Sequence, residues 1–151
     1  MKASMPFKGI SSRWLTGSSC FMTDYTNPET SSKAFLVALG SKLPSKILRL
    51  DLSKHGNKIT CRNGSLLAIT NKDDVVVKAK ANKNTLASLL GNQPLFLQTI
   101  GGKGEVLLQY GGTMVIKDLR AGETLRVGEG RLVAFESTVG YNVRRAQSTW
   151  R

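Results

Sequence analysis

The residues that could perform chemistry are few and dispersed along the chain. Its 151 residues include one histidine, His55, and two cysteines, Cys20 and Cys61. His55 precedes Gly56-Asn57, which is typical of a turn, so we expect a solvated histidine rather than a general base. Both cysteines fall within predicted strands, where a small buried hydrophobic residue is the simpler interpretation. This inventory does not favour a metal site built from His and Cys.

Other motifs with catalytic or phosphate-binding counterparts are incomplete. Asp73 and Asp74 are adjacent, so in a strand their carboxylates would point to opposite faces, and a turn is the expected context. Gly101–Gly104 has the composition of a phosphate-binding loop, but a strand pattern follows it instead of a helix, which predicts a hairpin-like bend. The serines match no nucleophile motif. We therefore expect no enzyme activity, no cofactor and no metal.

The charge of the chain indicates its partner more clearly. There are 22 Lys+Arg against 10 Asp+Glu, a net charge of +12, which favours a polyanion such as RNA, DNA or an anionic membrane. Residues 32–83 hold eleven basic and three acidic side chains, whereas residues 84–151 hold eight and five. We expect RNA or another polyanion to contact Lys42, Lys46, Lys54, Lys58, Arg62, Lys78, Lys80 and Lys83.

The same basic stretch is poor in aromatic residues. Phe35 is the only aromatic residue among residues 32–83, so the sequence predicts no base-stacking platform there. Contacts of lysine and arginine with phosphates position a nucleic acid without reading its sequence.

The N-terminal region has the composition of a targeting segment. Residues 1–23 contain Lys2, Lys8 and Arg13, five serines and no acidic residue, which is typical of a mitochondrial presequence; a frayed N-terminus is the alternative. The longest apolar run, Ala34–Leu39, is far shorter than the ~20 residues that span a bilayer. No transmembrane segment is therefore expected.

Short alternating segments separated by turn residues run through the whole chain and predict an all-β sandwich or barrel-like fold. One short helix is a candidate at Asn84–Leu90. The predicted strands are Cys20–Tyr25, Ala34–Leu39, Ile47–Asp51, Lys58–Cys61, Leu66–Thr70, Val75–Lys80, Leu95–Ile100, Glu105–Tyr110, Thr113–Lys117, Thr124–Val127, Arg131–Glu136 and Tyr141–Arg144.

Two parts of the chain resemble each other. Ile47–Leu52 and Met114–Leu119 both end in Asp-Leu, and matching turn and core positions follow at an offset of 66 or 67 residues. Such self-similarity predicts two stacked repeats. We expect a flexible segment at 1–12, an antiparallel β-sandwich at 13–145 made of repeats at about 13–82 and 94–145, and a tail at 146–151. The residues expected to point inward are Leu48, Leu50, Ile59, Cys61, Leu66, Ala68, Val115, Leu125, Val127, Leu132 and Ala134.

Several motifs resemble those of a known family. They are Arg13–Gly17 with Phe21, Leu50–Leu52 with Gly64–Ala68, Leu95–Gln98 with Gly101–Val106, and Gly130–Glu136. Over roughly residues 10–143 the chain is similar to the altered inheritance of mitochondria protein 24 family. The resemblance implies the fold of the trp RNA-binding attenuation protein, a mitochondrial location and a link to inner-membrane organisation. It implies no catalytic residues.

Two functions follow as expectations. The first is a non-catalytic structural subunit of a mitochondrial assembly on the matrix side, a ribonucleoprotein such as the mitochondrial ribosome, in which the basic side chains contact RNA phosphates. The alternative is a scaffold of inner-membrane organisation that binds proteins or anionic lipid and no RNA. The expected partners are other subunits of a large mitochondrial complex and rRNA, with peripheral contact to an anionic membrane as a further candidate.

Overall fold

The computed structural model describes most of the centre and of the C-terminal half of the chain. The described residues are 3–4, 22–28, 30, 32–41, 44–70, 74–80, 97–128 and 130–142. Within these ranges there is no α-helix; the regular structure consists of nine strands and one 3₁₀ turn at Leu52–His55. The strands are β1 Ala3–Ser4, β2 Met22–Thr23, β3 Ser45–Asp51, β4 Lys58–Arg62, β5 Leu66–Ile69, β6 Val75–Lys80, β7 Leu97–Gly102, β8 Glu105–Gly111 and β9 Ala134–Glu136.

All pairs of neighbouring strands are antiparallel. β1 and β2 form a short pair, β3-β8-β5 form a three-stranded sheet, and β6-β7-β4-β9 form a four-stranded sheet. The pairing of β3 with β8 runs from Ser45 opposite Gly111 to Asp51 opposite Glu105. The strands β3 to β6 alternate between the two larger sheets. The chain therefore crosses from one sheet to the other after β3, after β4 and after β5.

The two larger sheets share one hydrophobic core. In β8, Val106 and Leu108 are fully buried, while the intervening Leu107 is only half-buried. Leu50 lies opposite Val106 and Leu48 opposite Leu108, so β3 and β8 present one apolar face inward. Burial of each large apolar side chain contributes about 1.5–3 kcal/mol. The buried cluster consists of Leu52, Ile59, Cys61, Val75, Ile100, Val106 and Leu108.

The 3₁₀ turn carries the chain from β3 to β4. Asp51 Oδ1 accepts hydrogen bonds from Ser53 Oγ (2.6 Å) and from the Ser53 backbone N–H (3.0 Å), and these bonds lower the pKa of the Asp51 carboxyl below its ordinary value. Gly56 ends the turn with φ 64°, a left-handed conformation that glycine adopts without strain. Leu52, fully buried, fixes the turn against the core.

The glycine-rich segment at Gly101–Gly104 is a bend, as predicted. β7 ends at Gly102 and β8 begins at Glu105, so only two residues, Lys103 and Gly104, separate these two strands. The two strands belong to different sheets and do not pair with each other. The segment is therefore a corner between the two larger sheets, and the expected hairpin-like arrangement is wrong.

Six predicted strands are confirmed, with small shifts at their ends. Of the residues expected inward, Leu48, Leu50, Ile59, Cys61, Leu66 and Ala134 do lie in or against the core. The prediction for Ala68 is wrong: the register shifts between Leu66 and Ala68, which places Ala68 opposite Leu107 rather than opposite a core residue. The confirmed strands are those predicted at Ile47–Asp51, Lys58–Cys61, Leu66–Thr70, Val75–Lys80, Leu95–Ile100 and Glu105–Tyr110.

Three predicted strands are wrong, because Ala34–Leu39, Thr113–Lys117 and Thr124–Val127 form no strand. Thr113–Lys117 directly follows β8, but both edges of β8 are already paired, with β3 and with β5. Alternation by itself does not make a strand, because the backbone N–H and C=O groups also need a neighbouring strand to pair with. Side chains expected to point inward are therefore exposed: Val115 by 86%, Leu125 by 49% and Val127 by 45%.

The remaining predictions are met in part or lie outside the described residues. Arg131–Glu136 shortens to β9. Of the predicted strand Cys20–Tyr25, residues 22–25 are described, and among these Met22–Thr23 is a strand. The helix at Asn84–Leu90 lies outside the described residues, and so does the second half of Tyr141–Arg144, whose first half is not a strand. The segment boundaries at 12, 82, 94 and 145 stay predictions.

Candidate polyanion-binding face

One side of the four-stranded sheet faces away from the core. In β4 the side chain of Ile59 points inward and is buried, so Lys58 and Thr60 occupy the register on the side away from the core. Only part of this side is open, because Thr60 and Leu97, which share this register, are 2% and 1% exposed. Thr99 lies opposite Thr60 on one side and opposite Lys78 on the other. Lys58 and Lys78 therefore lie on the same outward side, and both are exposed. We call this side of the sheet the basic face.

The lysines of the basic face are not neutralised by the ion pairs found in the described part of the chain. Those pairs are Arg49–Glu105, His55–Glu136 and Lys117–Glu123. The register of the four strands also places no acidic residue on this face. Lys58 and Lys78 are separated by the intervening strand β7, which sets their backbones roughly 12 Å apart. Two exposed charges at this spacing can bind separate anionic groups of one partner.

Arg62 belongs to the basic face by register but binds a turn. Its Nη1 donates a hydrogen bond to the Gly130 carbonyl oxygen at 2.9 Å, and the Tyr110 hydroxyl donates to the same oxygen. Arg62 is half-buried. Arg62 therefore has a structural role, because it holds the backbone at Gly130. Its positive charge also lies at the end of the basic face.

The other predicted binding residues are not all on this face. Lys46 lies in β3 opposite Tyr110, in the three-stranded sheet, and Lys54 lies in the 3₁₀ turn. The single basic surface expected for residues 42–83 is divided, because β3 to β6 alternate between the sheets. The strand register also assigns Lys80, two residues after Lys78, to the basic face. Lys42 and Lys83 lie outside the described residues.

His55 has a partner that the sequence did not indicate. Its Nδ1 lies 2.6 Å from Oε1 of Glu136, and the His55 side chain is only 30% exposed. The expectation of a freely solvated turn histidine is therefore wrong. The contact joins the 3₁₀ turn to the edge strand β9. No local motif could reveal it, because the two residues are 81 positions apart.

Cys61 is a buried core thiol, as predicted; Cys20 lies outside the described residues. Burial raises the pKa of the Cys61 thiol to about 11, while a hydrogen bond with Gln98 acts in the opposite direction. Gln98, which lies opposite Cys61 in the strand register, is 4% exposed. A buried thiol that stays protonated is a poor nucleophile.

Two further features concern metal binding and membrane-spanning helices in the part of the chain that the structure describes. No group of three or more His, Cys, Asp or Glu side chains there could hold a metal ion. No helix in those residues has the length and apolar character needed to cross a membrane.

An all-β domain of two antiparallel sheets, with an outward basic face and a buried cysteine, defines the structural class of this protein. The chain belongs to the mitochondrial biogenesis AIM24 family, whose match covers residues 1–151. The membership confirms the resemblance found in the sequence and assigns the chain a mitochondrial role in biogenesis. No match was found among curated proteins or among solved structures.

Proposed function

We propose that this protein is a non-catalytic structural subunit of a mitochondrial ribonucleoprotein on the matrix side, such as the mitochondrial ribosome, and that it contacts RNA phosphates through the basic face. The observation that carries the proposal is the shared outward register of Lys58 and Lys78, both exposed and outside the ion pairs of the described residues. Lysines placed in this way bind phosphates by charge and release the counterions held by the nucleic acid.

The net charge of the whole chain supports the same partner. A surplus of +12 on 151 residues creates a long-range attraction for polyanions, which steers association before any specific contact forms. The two exposed lysines of the basic face, Lys58 and Lys78, both stand on strands of the four-stranded sheet. Contacts made from strands hold their spacing better than contacts made from loops.

Exposed apolar side chains support membership in an assembly. Val115 and Ile116 are 86% and 72% exposed, and Phe35 and Leu36 are 64% and 93% exposed. Single exposed apolar residues are ordinary, but consecutive ones are uncommon on a monomer surface and are typical of protein contacts. We propose that neighbouring subunits cover these two segments.

The test is sedimentation of the tagged protein from mitochondrial lysate, with and without RNase. We expect the wild-type protein in a heavy peak that collapses on RNase treatment. The variant K58Q/K78Q removes two charges from the basic face and should move to light fractions. Its matched control, K46Q/K103Q, removes two exposed lysine charges elsewhere and should stay in the heavy peak.

A heavy peak that resists RNase and dissolves in detergent would contradict this proposal and favour the alternative, an inner-membrane scaffold that binds anionic lipid or proteins. One observation favours that alternative. Val76 lies opposite Gly101, two residues before Lys78 and on the same face, and is 54% exposed. An apolar side chain between lysines is also the pattern of a membrane-surface contact.

Two finer points of the proposal rest on the sequence. The non-catalytic role rests on the lack of paired acid, base or nucleophile motifs in the chain. The arrangement of two repeats in a sandwich like that of the trp RNA-binding attenuation protein stays a prediction.

A further inference from the structure

An aromatic residue from the C-terminal half joins the basic face. Phe135 in β9 lies opposite Thr60 of β4. Its neighbour Ala134 packs against the core, so alternation places Phe135 on the outward side, together with Lys58 and Lys78. The basic stretch of residues 32–83 contains only Phe35, and this ring therefore enters the face through strand pairing across 75 positions of sequence.

The Phe135 ring is held in a fixed orientation. Its centroid lies 5.2 Å from that of Tyr141, and the ring planes make an angle of 61°, an edge-to-face contact. Phe135 is half-buried, and Tyr141 is 36% exposed. An aromatic ring that is anchored on one side and partly accessible is suited to stacking with a planar ligand.

Phe135 and Lys78 lie in one row across the sheet, and Lys58 lies beside that row. Phe135, Thr60, Thr99 and Lys78 occupy the same row on four neighbouring strands, and Lys58 is two residues from Thr60 on β4. With strands about 4.8 Å apart, Phe135 and Lys78 are separated by roughly 14 Å at the backbone. Thr60, in the middle of this row, is only 2% exposed, so a ligand contacts the row at its two ends, Phe135 and Lys78.

We infer that the basic face binds single-stranded RNA, with one base stacked on Phe135 and the phosphates of neighbouring nucleotides at Lys58 and Lys78. This inference rests on the proposed function and names the form of RNA. Bases in a duplex are stacked on each other and cannot reach a ring on a flat sheet, whereas unpaired bases can be splayed onto aromatic side chains. Duplex RNA would engage the lysines alone.

The experiment measures the affinity of the purified full chain for fluorescent RNA of about 12 nucleotides, as a single strand and as a duplex, over a range of salt concentrations. We expect F135L to weaken single-strand binding by about 5- to 100-fold and to leave duplex binding unchanged. F135W keeps a stacking surface and should retain single-strand binding. K58Q/K78Q should weaken both and reduce the salt slope by about 1.4.

The outcomes separate the inference from the proposed function. If a folded F135L variant binds single-stranded RNA as well as the wild-type protein does, the stacking site is overturned. If K58Q/K78Q binds more weakly in the same experiment, the phosphate contacts of the proposed function are still supported. If F135L does not fold, loss of single-strand affinity in F135W decides against stacking. No binding of the wild-type chain to either RNA overturns both proposals. Binding to phosphatidylcholine vesicles with about 20% cardiolipin, and not to RNA, assigns the face to lipid.

Discussion

Arg62 and Tyr110 donate hydrogen bonds to the same backbone oxygen, that of Gly130. Arg62 is the last residue of β4 in the four-stranded sheet, and Tyr110 lies in β8 of the three-stranded sheet. The backbone at Gly130 is therefore fixed to both sheets through one acceptor. Arg62 Nη1 makes the bond at 2.9 Å, and a charged donor makes it stronger than a neutral one.

This shared acceptor predicts coupled effects on stability. Y110F removes one donor and should lower the free energy of unfolding by about 0.5–1.5 kcal/mol, because Arg62 still binds the oxygen. R62M removes the charged donor and should cost about 1.5–3 kcal/mol. The double variant leaves the carbonyl without either donor and should lose more than the two single losses combined. Urea denaturation of the four proteins measures the cycle, and strict additivity would show that the two bonds act independently.

Gly102 predicts a large effect of a small substitution. It has φ +125°, and a Cβ at this position would lie 1.7 Å from the Asp74 carbonyl oxygen. Both the backbone conformation and the contact therefore exclude a side chain. We expect G102A to lower the free energy of unfolding by about 3 kcal/mol or more, or to prevent folding.

Gly112 provides the control for this substitution. It has φ +85°, but no atom lies within 4 Å of a Cβ placed there. G112A should therefore show the conformational cost alone, about 1–2 kcal/mol. Thermal unfolding followed by circular dichroism measures both variants. Equal losses in the two would mean that the close approach of β7 to Asp74 does not exist in solution.

The sequence predicts where the strands of this fold lie better than it predicts which strands pair with each other. The alternation of apolar and polar residues is enough to locate β3 and β8, because this pattern can be recognised within each short segment of the sequence. Pairing is decided at long range: β8 pairs with β3 and β5, whereas the equally alternating Thr113–Lys117 forms no strand. A sequence pattern carries no information about which edges are already occupied.

The candidate site shows the same limit. Net charge and composition predict basic contacts, and Lys58 and Lys78 are on one face as expected. Lys46 is not, because its strand lies in the other sheet. Phe135 escapes prediction because its place beside Thr60 depends on β9 pairing with β4. Residues that meet only through sheet pairing need the register, which the sequence alone does not supply.

The buried thiol of Cys61 predicts a dependence on pH. Its pKa is raised to about 11 from an ordinary value of 9.0, so at pH 8 its thiolate population is about 100-fold below that of an exposed cysteine. In a Cys20→Ser background, we expect slow reaction with a thiol reagent in the folded protein and rapid reaction in denaturant. Fast labelling of the folded chain at pH 8 would contradict the burial of Cys61.

The same shift predicts a loss of stability in alkali. The folded-state pKa is raised above the unfolded value, so this contribution to stability is fully present below pH 9.0 and is lost as the pH rises through about 11. C61A removes the titrating group. We expect the free energy of unfolding to fall less steeply between pH 9 and pH 11 in C61A than in the parent protein, although C61A starts from a lower value because it leaves a small cavity. Parallel slopes would assign the alkaline loss to other groups.

The exposed segment that follows β8 predicts a contrast between two residues at matching positions of the sequence repeat. Leu48 packs against the core, whereas Val115, its counterpart, is 86% exposed. L48A should lower the free energy of unfolding of the isolated chain by about 2 kcal/mol, because it removes buried methyl groups. V115A should change it by less than about 0.5 kcal/mol. If V115A proved as costly as L48A in the isolated chain, residues 113–117 would have to be packed in solution, and the proposed subunit contact at this segment would lose its support. With V115A neutral in isolation, the same variant should weaken incorporation into the heavy mitochondrial peak, since the side chain is then buried only in the assembly.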